Sequence, residues 1–287
     1  MWLLFTVLSA VLLGTYDVAK KQALRKNGTF AVLLVATALS TLFVSPFLRL
    51  GPLQDHLKLA LKAVLVTVSW VSGMEGLKRL PLTTVSTIKG SRPVFVVLFS
   101  IILFGERLNW MQWAGVVTVL AALYLLGHTS RKDASTQVRK TGFIWMGVSV
   151  VTGVVSALYD KYIMKGMEPL FVQSWTNLFI TVILGLCILV HRLSVVSASP
   201  ARPTAPAFQW DWTLVLVAVL ITGADALYFF ALKQPDALLS VISVVRRASV
   251  LVTFILGAII FKEGNLRAKS LNMLLMAAGV ALLLLGS

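Results

Sequence analysis

The stretch Thr84–Glu106, TVSTIKGSRPVFVVLFSIILFGE, decides the fold. It is long and apolar enough to cross a bilayer, because roughly 20 apolar residues span the hydrocarbon core. Yet Lys89 and Arg92 lie well inside it. The theme returns 157 positions later as Val241–Glu263, VISVVRRASVLVTFILGAIIFKE. Setting Glu106 on Glu263 places Lys89 on Arg246, with Arg247 beside it. Cations at matching points of two related membrane segments are costly, and the cost implies a purpose.

The rest of the chain has the same character. Of its 287 residues, 58% are hydrophobic and 13% charged, and the mean hydropathy is +0.88. A soluble domain of this size could not clothe such a chain in polar groups, so the class is an all-α polytopic membrane protein. The net charge of +15 would suggest nucleic acid in a soluble protein. Here most Lys and Arg lie between apolar runs, where they flank spans and meet lipid headgroups. The lipid bilayer is the expected partner, and no nucleic acid is. Cys187 is the sole cysteine, which excludes an internal disulfide and a cysteine metal site. It reads as a small buried hydrophobe. The first segment, MWLLFTVLSAVLLGTYDVA, has no basic leader and no clear cleavage site, so it is expected to be a retained first span.

Polar and Pro/Gly clusters punctuate the apolar runs and predict ten helices, near 2–21, 30–49, 58–78, 82–104, 109–127, 142–164, 169–190, 212–232, 238–261 and 268–286. Pro81, Pro93, Pro169 and Pro235 fall at or near segment starts, where a helix tolerates them. The longest connections are His128–Thr141 and His191–Asp211, the latter with the linker-like run SASPARPTAPA. A second internal match sets Gly14-Thr15-Tyr16-Asp17 on Ala157-Leu158-Tyr159-Asp160, 143 positions apart. The longer linker near residue 200 accounts for the 14 residues separating this offset from 157. The expectation is two five-helix units, 1–128 and 142–287, joined by a loop over 129–141. An odd number of spans per unit inserts the second upside down, giving an inverted repeat whose interface holds a binding site near the midplane. The loops after the odd-numbered helices carry more than twice the Lys and Arg of the others, which puts the termini outside. Transporters of this architecture are commonly drawn with both termini in the cytoplasm, so orientation stays open.

Lys89, Arg92, Arg246 and Arg247 are the sharpest signal. At about 1.5 Å per residue, Lys89 lies about 12 Å along its helix from Pro81, and Arg246 about 15 Å from Asp236. A lone cation at mid-bilayer costs about 2.5–3.5 kcal/mol. One reading has these side chains snorkel to an interface or pair with Glu75, Asp17, Asp160 or Asp225. The other is a pocket that accepts an anion, in which Arg offers a planar fork of donors and Lys a point charge. So many cations exceed the need of one carboxylate and suit a phosphate. Asp225 and Glu75 are expected as counter-ions or proton carriers. Asp17 and Asp160 lie nearer helix ends and are expected in salt bridges or gate contacts with Lys20, Lys21 and Lys161. Tyr228 and Trp70 are weaker candidates for the cavity wall, with Phe229 and Phe230. Trp2, Trp110, Trp113, Trp210 and Trp212 read as interface anchors. Gly147, Gly153 and Gly257 read as helix-packing positions. The sequence contains no HExxH, no phosphate loop ending in Gly-Lys-Ser/Thr and no GxSxG. Neither an enzyme nor a cofactor is expected.

These motifs carry a resemblance. Pro93-Val94-Phe95, Gly105-Glu106-Arg107-Leu108 and Lys262-Glu263, each Glu followed by one more apolar span, make the chain similar to the EamA-like form of the drug/metabolite transporter superfamily. Ile88-Lys89-Gly90-Ser91-Arg92-Pro93 and Val245-Arg246-Arg247-Ala248 resemble its triose-phosphate translocator branch. The resemblance implies Lys89, Arg246 and Arg247 as phosphate ligands. Arg92 stands where those translocators carry an acid, and their eighth-helix Tyr falls near Gly223 here, with Tyr228 an approximate substitute. The expected function is secondary transport of a phosphorylated or other small anionic metabolite by alternating access, driven by exchange or an ion gradient, with Lys89 facing Arg246 across a cavity. The alternatives are an amino-acid or drug exporter with an apolar-aromatic cavity, and a flippase for a lipid phosphate. A multi-pass protein of a bacterial cytoplasmic membrane, monomeric or weakly dimeric, is expected.

Overall fold

A computed structural model describes residues 1–79, 88–89, 91–129, 140–198, 208–261 and 266–286. Leu80–Thr87, Gly90, most of the expected 129–141 loop, the tip of the Pro-rich linker, and Lys262-Glu263 lie outside the described residues.

The described elements are α1 Trp2–Ala23, α2 Thr29–Val44, α3 Leu53–Arg79, α4 Arg92–Phe104, α5 Trp110–Thr129, α6 Lys140–Met164, α7 Pro169–Ala198, α8 Trp212–Lys233, α9 Leu239–Arg247, α10 Ser249–Phe261 and α11 Leu266–Leu285. A 3₁₀ turn, Ser45–Phe47, follows α2. Among the described residues there is no strand. Among the described residues, seven helical runs are long and apolar enough to cross a membrane, with α2 and its 3₁₀ turn counted as one run and Leu239–Leu256 of α9 and α10 as another, and Arg92–Phe104, Trp110–Leu125 and Leu271–Leu285 are shorter apolar helices. The chain is a multi-pass integral membrane protein.

Two expectations change. The helix expected over 169–190 continues to Ala198, because HRLSVVSA offers no Gly or Pro to stop it before Pro200. The ninth expected helix is two, α9 and α10, parted at Ala248. The Ala248 N–H bonds back to the Val245 carbonyl at 3.0 Å, and the Leu251 N–H to the Ala248 carbonyl at 2.8 Å. A tight three-residue turn thus interrupts the α-helical ladder. The same turn stands 157 positions earlier. Ile88 and Lys89 are helical, Ser91 is a turn residue, and α4 begins at Arg92. There Ser91 N–H bonds to the Ile88 carbonyl at 3.1 Å, and Val94 N–H to the Ser91 carbonyl at 3.0 Å.

α3 packs along α6, α1 along α8 and α5 along α11. α2 lies on α7 and α8, α3 also touches α7, α4 meets α6 and α9, and α1 meets α9 and α10. Helices in lipid gain little from excluding water, so small residues and interhelical hydrogen bonds hold them. Ser69 and Ser149 each donate to the other's carbonyl, at 2.8 and 2.7 Å, between α3 and α6. Ser9 donates to the Ala224 carbonyl at 2.6 Å between α1 and α8. At Gly14 a Cβ would lie 2.4 Å from Val252 Cβ and 2.6 Å from the Ser249 carbonyl oxygen, so α1 can touch the start of α10 only as glycine. Trp110, Trp113, Trp210 and Trp212 are exposed, as anchors at an interface would be. Cys187 is exposed, not buried as expected. The outer face of a span is itself apolar, so a small hydrophobe can stand on it.

Both ends of α9 are fixed. Gly105, at φ 64°, closes α4 in the left-handed conformation that glycine adopts without strain. It delivers Glu106 to the N-terminus of α9, where the carboxylate accepts from the Leu239 N–H at 2.7 Å, the Ser240 N–H at 3.0 Å and the Ser240 hydroxyl. A carboxylate there satisfies orphan amides and meets the positive end of the helix dipole. On the surface, Asp211 caps α8 by accepting from the Thr213 N–H at 2.9 Å, and pairs with Lys26 at 2.7 Å. Lys26, then the Thr213 amide, hold its pKa down to about 2.

Candidate functional site

The two interrupted helices bring their cations to the middle of the bundle. Arg246, in the last turn of α9, donates from Nη2 to Asp225 Oδ1 of α8 at 2.7 Å. Its guanidinium lies 4.1 Å from the centroid of the Tyr228 ring, one turn further along α8. Tyr228 donates its hydroxyl to Asp160 Oδ2 of α6 at 3.2 Å. Asp160 accepts at its other oxygen from Lys62 of α3, and both members of this ion pair are buried. Lys62 also sits 4.9 Å from the centroid of the buried Phe229 ring. One continuous polar chain therefore runs Lys62, Asp160, Tyr228, Arg246, Asp225 across α3, α6, α8 and α9.

Arg92 opens α4 beneath this chain. Its guanidinium donates to the Gly153 carbonyl of α6. A Cβ on Gly153 would lie 2.5 Å from Arg92 Cζ. Gly153 is thus not only a packing position, because it makes the space in which Arg92 rests. The charged and polar groups acting most strongly on Arg92 are Tyr228, Arg247, Asp160 and Arg246. Lys89 lies beside Gly73 of α3, where a Cβ would stand 3.4 Å from its Nζ. Its charged neighbours are Lys20, Arg247, Arg92 and Asp17. Arg247 has Asp17 as its opposing charge. Arg246 is thus the cation stacked on Tyr228, Arg247 and Lys89 both have Asp17 among their charged neighbours, and Arg92 has both arginines near it. Adjacent residues on a helix diverge by about 100°, which is why Arg246 and Arg247 meet different partners.

Six cations (Lys20, Lys62, Lys89, Arg92, Arg246, Arg247) stand against three carboxylates (the buried Asp160, the half-buried Asp225 and the exposed Asp17) in and around this site, leaving three positive charges in excess. Two unit charges 4 Å apart interact by about 4 kcal/mol at the effective dielectric near a protein surface. An excess of this size favours any anion that enters. Nε of Arg246 and Nε of Arg247 are both buried, and neither has a hydrogen-bond partner among the described residues. The chemistry on offer is a set of directed N–H donors, suited to phosphate or carboxylate oxygens.

Other expected residues lie apart. Trp70 packs with Leu33, Ala63, Ile180 and Leu184, in the apolar contact of α2, α3 and α7. Glu75 pairs with Arg79 one turn along α3. Asp160 takes Lys62 as its partner, not Lys161, which donates to the Ala237 carbonyl. Phe230 is partly exposed and meets Phe5 of α1, ring centroids 6.3 Å apart. Lys62 was missed by the sequence reading. Its signal was a lysine inside the apolar run of LKLALKAVLVTV, close enough to the helix start to be taken for a flank. No group of three metal-binding side chains occurs among the described residues.

Residues 1–127 match the EamA-like transporter family, which is a family of transporters and not of enzymes. An uncharacterised transporter encoded in the cobO 3′ region of a Sinorhizobium species is 26% identical over 133 residues, covering 44% of this chain and 93% of that protein. The crystal structure of another protein is similar over 100% of this chain and 99% of its own, with TM-score 0.77 and 15% identity. That likeness extends over the entire fold.

Proposed function

We propose that the whole chain is an EamA-like secondary transporter that moves a small phosphorylated or other anionic organic metabolite across a bacterial cytoplasmic membrane. The observation that carries this reading is the excess of cations gathered where two helices are interrupted, with two buried guanidinium N–H groups still seeking acceptors. Interrupted helices at mid-membrane recur in transporter binding sites, because the freed ends can meet a solute.

The reading includes two inverted five-helix units, 1–128 and 142–287, with ten spans. Three observations support it. The interrupting turns recur 157 positions apart with the same hydrogen bonds. Ser72-Gly73-Met74-Glu75-Gly76-Leu77 matches Thr222-Gly223-Ala224-Asp225-Ala226-Leu227, which pairs Glu75 with Asp225. The packing is reproduced when the halves are exchanged: α3 on α6 becomes α8 on α1, α3 on α7 becomes α8 on α2, and α5 on α11 maps to itself. The Sinorhizobium relative is itself about half as long as this chain, as a single unit would be.

In this mechanism Arg246, Arg247 and Lys89 grip the anion and Arg92 strengthens the field. Asp225 holds Arg246 until the anion replaces it. The halves then rock about the site, with Asp17 and Asp160 at opposite gates. The protein acts as a monomer or weak dimer and needs no cofactor. Purified protein in vesicles preloaded with glycerol 3-phosphate or inorganic phosphate tests it. Labelled anion uptake should fall at least tenfold in Lys89→Ala and in Arg246→Ala, and uptake unchanged in both variants would defeat the reading. An amino-acid or drug exporter is the second reading. It is favoured by the Asp225–Arg246 pair, which already neutralises one cation. Saturable binding of neutral solutes, indifferent to phosphate esters, would select it.

A further inference from the structure

The Lys62–Asp160 pair is not needed to hold an anion, yet it is buried between α3 and α6. Each member is expensive to desolvate, and an apolar pair would often serve stability as well or better. Ionisable pairs kept inside a membrane mark ion or proton routes by default. Among the described residues the hydrogen bonding is also incomplete. An ammonium has three donors. Lys62 gives one to Asp160 and turns toward the face of Phe229. Asp160 accepts one bond at each oxygen, from Lys62 and from Tyr228.

We propose that Asp160, together with Lys62, binds a proton whose uptake is coupled through Tyr228 to anion binding at Arg246 and Arg92. This rests on the reading of the polar core as an anion site. The ligand class is a hydronium-derived proton. Uptake forms an O–H bond on the Asp160 carboxyl, no electron moves, and the core gains one positive charge. The groups facing Asp160 are Lys62 from α3, Tyr228 and Asp225 from α8, and Arg92 from α4. Tyr228 ties its state to the pocket, because one hydroxyl reaches Asp160 while the ring beneath it carries Arg246. While Asp160 is charged, it competes with an incoming anion for the field of Arg92. Once protonated it no longer does. Proton and anion therefore favour each other's binding, and linkage makes the effect reciprocal. Carried through a transport cycle, this coupling moves a proton with the anion in the same direction.

Infrared difference spectroscopy of the purified full chain, titrated from pH 5 to 9, reads Asp160 directly. Sulfate is the anion probe, since it stays doubly charged over that range. A protonated-carboxyl C=O band should titrate in the wild type, vanish in Asp160→Asn, and shift to higher midpoint pH with sulfate. Sulfate should bind about fivefold or more tightly at pH 6 than at pH 8. Tyr228→Phe keeps the ring and the acid, so its band should remain while the pH dependence of sulfate affinity flattens. It also guards against a loss of fold in Asp160→Asn. Absence in the wild type of any band that Asp160→Asn removes overturns the proton site. A band with equal sulfate affinity at both pH values overturns the coupling. A band without sulfate binding at any pH overturns the anion reading, and the coupling with it.

Discussion

Tyr16-Asp17 on α1 and Tyr159-Asp160 on α6 are the same dipeptide, 143 positions apart, in opposite surroundings. Asp160 is buried, held by Lys62 from the facing helix α3 and by Tyr228. Asp17 is exposed, and its charged neighbours are Lys20 on its own helix, Arg247 and Lys89. The difference comes from the helices that face them. α3 supplies Lys62 to Asp160. α8, which runs along α1, has no charged residue before Asp225. Two sites of one local sequence thus become a sealed contact and an open one.

The largest expected effect breaks the sealed side. Lys62→Met leaves the Asp160 carboxylate buried without its cation, and should lower stability by about 3–5 kcal/mol in thermal unfolding in detergent. Adding Asp160→Leu should recover most of that loss, because the charge that needed compensation is gone. A double variant no better than Lys62→Met would show that the contact is held by packing, not charge. Next come the glycines that admit close neighbours. Gly14→Ala, against Val252 Cβ and the Ser249 carbonyl, should cost about 1–3 kcal/mol, the usual range for overpacking. Gly153→Ala should cost less in thermal unfolding, because its Cβ meets the movable end of Arg92, but it should displace that guanidinium and lower anion affinity.

The open side should respond less. Asp17→Asn is expected to change stability by under about 1 kcal/mol, as exposed charges usually do. A loss as large as that of Lys62→Met would erase the contrast between Asp17 and Asp160. The smallest effect is at the surface, where Asp211→Asn should lower the midpoint of thermal unfolding slightly. The folded pKa of Asp211, about 2, lies below the ordinary carboxylate value near 3.9. Its contribution is therefore complete above about pH 4 and is lost as pH falls through 2. Wild type and Asp211→Asn should differ at pH 6 and converge near pH 2.

Much of this could be read from the sequence. Apolar run length gave the spans, and cations inside such runs gave Lys89, Arg92, Arg246 and Arg247. The 157-residue offset also set the turn at Ala248 on the turn at Ser91. What stayed hidden depends on which helix faces which. Lys62 became visible only when α3 lay against α6. Trp70 is an aromatic in a span like Tyr228, and nothing local tells which one faces the polar core. The turn at Ser91 is flagged in the sequence by the adjacent Gly90 and by Pro93, whereas Arg247-Ala248-Ser249 contains no helix breaker. Only the 157-residue offset hints at it.

The central claim is that the polar core holds an anion. A thermal-shift titration of the purified chain with inorganic phosphate, sugar phosphates, nucleotides, amino acids and neutral drugs tests it most directly. Stabilisation grows as RT ln(1 + [L]/Kd), so even millimolar ligands register. The account predicts stabilisation by one or more phosphorylated or other anionic metabolites, lost in Arg246→Ala and in Lys89→Ala. Stabilisation by neutral solutes alone, equal in the wild type and both variants, would contradict it.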